Sequence, residues 1–145
     1  MSTTVDIYQI ADTKLNDAQL LFDNGRYENA LYLAGYCIEL YLKAKICALL
    51  DEPNFFAEAY SDKEVARAFK IHRLEHLLIL AGLNAKMRIE KGSNSAIFKN
   101  WSLMSIWSEK LRYDTIGTQT KQDVQSVLNA INDPKTGIKQ WILNN

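Results

Sequence analysis

The sequence predicts an all-α fold, an antiparallel bundle of four to five helices with a short C-terminal helix. Three observations carry this. Apolar residues recur at three- and four-residue steps along most of the chain, and no segment shows the two-residue alternation of a half-buried strand. Glycine is sparse, and Pro53 and Pro134 are the only two prolines among 145 residues, so long helices meet few interruptions. The loop-forming stretches between the periodic runs are short, which sets consecutive helices side by side and antiparallel.

The first helix is expected from about Thr4 to Asp23, with Tyr8, Ala11, Leu15, Ala18 and Phe22 on one stripe. Gly25 in "DNGR" is placed to supply a left-handed C-terminal cap. The second helix runs from about Tyr27 to Leu50 and is stopped at Pro53 in "DEPN". A short amphipathic piece, "FFAEAYSDKEVARAF", leads to a third helix that begins near His72 and ends at "KGSN". Ser93 or Asn94 then caps a fourth helix, whose shared face is Ile97, Trp101, Met104, Ser108 and Leu111 and which Arg112, Tyr113 and Asp114 close. A cation such as Arg112 in a last turn is favoured by the helix dipole.

After the loop "TIGTQTKQD", Thr120 and Asp123 resemble a capping box in its weaker aspartate form. Val124, Val127, Leu128 and Ile131 mark the fifth helix, and "IKQWILNN" is a short terminal helix or docking tail. With no repeat, low-complexity tract or linker, residues 1–145 read as a single domain.

Lysine plus arginine and aspartate plus glutamate number 17 each, so no global field advertises nucleic acid or membrane, although local patches stay open. Cys37 and Cys47 fall on one helix, roughly 15 Å apart, too far for a bridge. They read as reduced core thiols of a cytoplasmic protein. "MSTTVDIYQIADTKL" lacks the apolar run of a signal peptide. Glu39, Lys43 and Lys45 interrupt the apolar second helix, which argues against a membrane span.

Those charges pose the sharpest question in the sequence. "LYLAGYCIELYLKAKICALL" is apolar on almost every side, and a helix of that kind is normally buried. Yet Tyr32, Tyr36, Glu39 and Lys43 fall within roughly a 60° sector of it. Three readings stay open: a partly exposed face with an ordinary i,i+4 Glu–Lys pair, an oligomer face presenting Tyr32 and Tyr36, or a ligand site in which Lys43 meets phosphate. Gly35 allows another backbone to approach closely here, which favours packing over chemistry. Trp101, Trp107 and Trp141 read as core and interface residues more than as base-stacking platforms.

"GRYENALYLAGYCIELYLKAKI" followed by "IHRLEHLLILAG" resembles the HEPN superfamily of small helical bundles. Ala30 through Ala44, with Glu39, Leu42 and Lys43, matches one motif of that family; His72, Leu74, Leu77 and Leu78 match a second. "WSEKLRYD", Trp107 to Asp114, is similar to a later Trp-then-Arg-Tyr segment. The resemblance covers roughly residues 8 to 131. It implies a helical bundle, often a homodimer, of the kind found as partners of small nucleotidyltransferases, as toxin or defence ribonucleases, or with no known activity.

On that basis the chain is expected to be a non-catalytic binding or interaction module without cofactor. Nucleotide or RNA phosphate is the ligand class the resemblance implies, with Glu39, Lys43, Arg112 and Tyr113 as the ligand-binding candidates. Arg112 is placed either to face Glu39 across the bundle or to bind phosphate beside Lys43.

The alternative is a metal-independent ribonuclease. In that branch an arginine stabilises phosphorane charge and a histidine four to six residues later moves a proton. Arg67 and His72 have the spacing, but they lie earlier than the ribonuclease motif usually does, and Ala68 stands where a polar residue usually follows the arginine. "HRLEH" also reads as the His-x-x-Glu-His pattern of zinc peptidases. A small bundle offers no peptide cleft or third ligand for it, so no metal is expected.

Overall fold

The computed structural model describes residues 4–51, 67 and 70–145. The amphipathic piece "FFAEAYSDKEVARAF" lies outside them, apart from Arg67. Among the described residues there are seven α-helices and no strand, the all-helical fold that the periodicity predicts.

Helices α1 (Thr4–Asp23) and α2 (Tyr27–Leu49) form a hairpin that makes the largest helix–helix contact of the described elements. Its turn follows from one residue. Gly25 takes φ +76°, and the Gly25 and Arg26 N–H groups donate to the carbonyls of Phe22 and Leu21 at 3.1 and 2.8 Å, the double bond of a Schellman cap. Ala11, Leu15, Ala18 and Phe22 are buried as the stripe requires, with Ile7 in the core and Tyr8 half-buried against it.

The rest of the chain wraps α2. Helices α3 (Leu74–Leu80), α4 (Asn84–Gly92), α5 (Ala96–Leu103), α6 (Lys121–Asn132) and α7 (Ile138–Asn144) follow in order. A 3₁₀ turn (Met104–Ile106) and a 3₁₀ helix (Glu109–Tyr113) stand between α5 and α6. Helix α2 contacts α1, α3, α6, α7 and the second 3₁₀ segment, so its all-round apolar surface is explained by burial on nearly all sides. The candidate membrane span is excluded in the same terms: among the described residues no helix is long and apolar enough to cross a membrane.

Three boundaries differ from the sequence reading. The expected third helix is two helices. Gly82 takes φ +74°, and its N–H and that of Leu83 donate to Ile79 and Leu78 at 3.0 Å each, so a second Schellman cap ends α3 before α4 begins. Ser93 and Asn94 do not cap the next helix. Asn94, at φ +48°, ends α4 in the left-handed position, and Ser95 is the N-cap of α5, accepting from the Phe98 N–H at 3.1 Å. The expected fourth helix stops at Leu103 instead of running through Arg112, because Trp107 and Ser108 adopt extended backbone. Ser108 then caps the 3₁₀ helix through the Lys110 N–H at 3.1 Å.

Long-range ties close the structure. The Glu28 carboxylate on α2 accepts from the Gly117 and Gln119 N–H groups at 3.0 and 3.2 Å, pinning the loop ahead of α6. Thr120 caps α6 through the Asp123 N–H at 3.1 Å, the first half of the predicted capping box. On the far side, Asp12 of α1 accepts from the Tyr41 hydroxyl and pairs with Lys139 of α7 at 3.1 Å. With Ile138, Trp141 and Ile142 buried, this docks the C-terminal helix.

Gly35 does admit a close approach, but of a side chain and not of a backbone. The Trp107 indole lies where a Cβ on Gly35 would stand, and its Nε1–H donates to the Tyr32 carbonyl at 2.9 Å. Gly35→Ala is therefore expected to lower stability by about 1–3 kcal/mol through overpacking, measured by urea unfolding. An unchanged midpoint would show that Trp107 is not seated there.

Candidate functional site

The polar stripe of α2 leads to the site. Glu39 and Lys43 are not a partly exposed surface pair: Glu39 is 1 % and Lys43 5 % exposed, and Lys43 Nζ lies 3.3 Å from Glu39 Oε2. The other carboxylate oxygen, Oε1, is 3.0 Å from His72 Nδ1, and His72 Nε2 is 3.2 Å from Glu109 Oε2. A four-member chain, Lys43–Glu39–His72–Glu109, thus runs from the core to the surface.

Each member is placed by a different local rule. Glu39 and Lys43 are one helical turn apart. His72 sits in the stretch just before α3, whose N-cap is Arg73. Glu109 opens the 3₁₀ helix that follows the extended Trp107–Ser108 pair.

Burial dominates the electrostatics of the inner pair. It raises the Glu39 carboxyl above its ordinary value, against the opposing pull of Lys43 and His72. It lowers the Lys43 ammonium, against the pull of Glu39. Both shifts favour the uncharged forms, as desolvation must. The outer half has a donor requirement. Each ring nitrogen of His72 faces a carboxylate oxygen, and an imidazole donates from both nitrogens only when doubly protonated. The Nδ1–Glu39 contact is a hydrogen bond, in which the ring donates to an ionised carboxylate or accepts from a protonated one.

This chain borders a pocket of about 610 Å³ between residues 72–75 and residues 101–110. His72 and Glu109 line it together with Trp101, Trp107, Arg73 and Lys110, and Ser102, Ser105 and Ser108 border the same space. Arg73 also pairs with Glu75 at 3.5 Å. Trp101 is half-buried, while Trp107 and Trp141 are in the core.

The candidates named from the sequence fall in three places. Glu39, Lys43 and His72 are brought together. Tyr32 and Tyr36 stack on each other with centroids 6.0 Å apart, and Tyr32 stacks in turn on Trp107 at 6.3 Å. Arg112 and Tyr113 are exposed on the 3₁₀ helix, the guanidinium 4.9 Å over the Tyr113 ring. The partner Glu39 takes across the bundle is His72, and Arg112 does not fill that position. Arg67 is exposed.

The zinc-peptidase pattern fails on geometry, since His72 precedes α3 and shares no helix face with His76. Sequence reading missed Glu109, Lys110 and the three serines. Their signal, polar residues alternating with tryptophans in "WSLMSIWSEK", was hidden by the expectation of a continuous helix there.

Residues 4–57 match the family profile of the HEPN domain. That stretch holds the α1–α2 hairpin with Glu39 and Lys43, and the all-helical architecture around it is that of a protein consistent with the HEPN superfamily. His72, Glu109 and the pocket lie beyond the matched residues. No curated protein and no solved structure matched the chain.

Two predictions follow from the buried pair. Glu39→Ala removes the carboxylate that Lys43 and His72 share and is expected to cost about 3–5 kcal/mol, whereas Glu39→Met combined with Lys43→Met should recover most of the loss. Urea unfolding of the three proteins checks this, and an additive double variant would sink it. Because folding raises the Glu39 pKa, its contribution is full below the ordinary value of 4.5 and is lost as pH rises through the folded value. Stability of Glu39→Gln relative to wild type should therefore climb from about pH 4.5 upward, and a pH-independent difference would refute the shift.

Proposed function

We propose that this chain is a HEPN-like binding module that takes a nucleotide, or one unit of an RNA strand, in the pocket between residues 72–75 and 101–110. The observation that carries the reading is the pocket itself. Its volume of about 610 Å³ suits a small-molecule site, and it combines a half-buried tryptophan with cations and hydroxyls. Trp101 offers a face on which a base stacks. Arg73 and Lys110 offer charge to a phosphate, while Ser102, whose hydroxyl donates to the Phe98 carbonyl, can accept and Ser108, which accepts from the Lys110 N–H, can donate.

Lys43 serves this site indirectly, by holding Glu39, and Arg112 with Tyr113 provides a second, exposed cation–aromatic contact for a strand that continues past the pocket. A homodimer, and a nucleotidyltransferase partner within a toxin or defence pair, belong to the same reading on the strength of the family resemblance.

A ribonuclease is the second reading, favoured by one observation. His72 is oriented by a buried carboxylate and lines the pocket, and its Nε2 would serve as general base where substrate takes the place of Glu109. Arg67 would have to reach the same phosphate.

Short single-stranded RNA should quench the intrinsic tryptophan fluorescence, and Trp101→Ala should weaken binding by about tenfold, the value of one stacked base. Unchanged affinity in that variant would remove the pocket from the reading. The same RNA incubated without metal should stay intact. Cleavage by wild type that disappears in folded His72→Ala would make the chain a ribonuclease instead.

A further inference from the structure

We propose that the pocket selects guanine over the other bases, with Glu109 as the residue that reads it. The inference rests on the nucleotide-binding reading above and adds the identity of the base.

Glu109 is an acceptor held in place from the core. Its Oε2 lies 3.2 Å from His72 Nε2, His72 Nδ1 lies 3.0 Å from Glu39 Oε1, and Glu39 is 1 % exposed. A side chain on a short 3₁₀ helix would otherwise sweep a wide arc. Here the far end of a buried ion pair aims it along the pocket wall that it shares with Trp101, Trp107 and Lys110.

An ionised carboxylate is acceptor-only, with about four lone-pair sites. The His72 ring nitrogen 3.2 Å from Oε2 approaches one of the two oxygens, so the rest of the carboxylate asks for donors. Nucleobase edges differ in what they supply. The Watson–Crick edge of guanine carries two adjacent donors, N1–H and the 2-amino group, spaced to meet the two oxygens of one carboxylate. Adenine and cytosine each present one donor next to a ring-nitrogen acceptor, which would face a carboxylate lone pair. Uracil presents a single donor between two carbonyls.

A carboxylate there therefore favours guanine, which meets it with two donors, over bases that set an acceptor or a carbonyl against it. Trp101 contributes stacking that is indifferent to base identity, which leaves discrimination to Glu109. Lys110, next in the chain and on the same wall, is the cation nearest in sequence for the attached phosphate.

Calorimetric titration of the full chain with GMP, IMP and AMP tests this. GMP should bind about 5- to 150-fold more tightly than AMP, the range of a good bidentate base contact. IMP, which keeps N1–H and lacks the 2-amino group, should fall between them. Glu109→Gln should bind GMP and AMP with similar affinity. If that variant fails to melt cooperatively, the wild-type ranking of the three nucleotides carries the test alone. Equal binding of GMP and AMP by wild type overturns the guanine assignment and leaves the pocket as a nucleotide site. IMP as tight as GMP overturns the two-donor contact. Binding of none of the three overturns both the assignment and the reading beneath it.

Discussion

A carboxylate sealed in the centre of a helical bundle has to be answered from somewhere. Glu39 is answered twice, from within its own helix by Lys43 and from across the bundle by His72. An unanswered charge in that position would be expensive, so the segment before α3 is constrained to pass within reach of α2. The constraint propagates outward, because the second nitrogen of His72 engages Glu109 and so ties the 3₁₀ helix to the same point. Three segments of the chain meet at one imidazole, and the pocket opens beside it.

Trp107 is the second organising element. Its indole fills the space over Gly35 that a side chain would occupy, and its N–H is satisfied by a carbonyl of α2. The backbone is extended at Trp107 and Ser108, which ends the helical run where the ring is seated. The interruption in helix periodicity lies within the segment that borders the pocket. Glu109 and Lys110 line the pocket from the first turn of the 3₁₀ helix that follows this break.

The structure thus divides by function as well as by position. The α1–α2 hairpin and the C-terminal helices carry most of the core, stapled by the Asp12–Tyr41–Lys139 cluster and by Glu28 against the loop ahead of α6. The middle of the chain is built of short pieces, and residues 72–75 and 101–110 within it border the pocket. Cys37, buried and with its thiol pKa pushed up by desolvation, belongs to the first group as packing.

What the sequence by itself determined is what local rules govern. The periodic stripe of α1, the left-handed glycine after it, the Thr120 cap and the apolar face of α6 each depend on residues within a turn or two, and each was legible. The burial of α2 was legible too, from its apolar circumference. Only the tertiary structure decided who pairs with Glu39, since His72 is 33 residues away, and where the fourth helix breaks, since Trp107 answers to a carbonyl 75 residues earlier. Contacts of that range are set by how the helices pack. A pattern of three- and four-residue steps carries no information about which distant side chain will arrive to satisfy a buried charge.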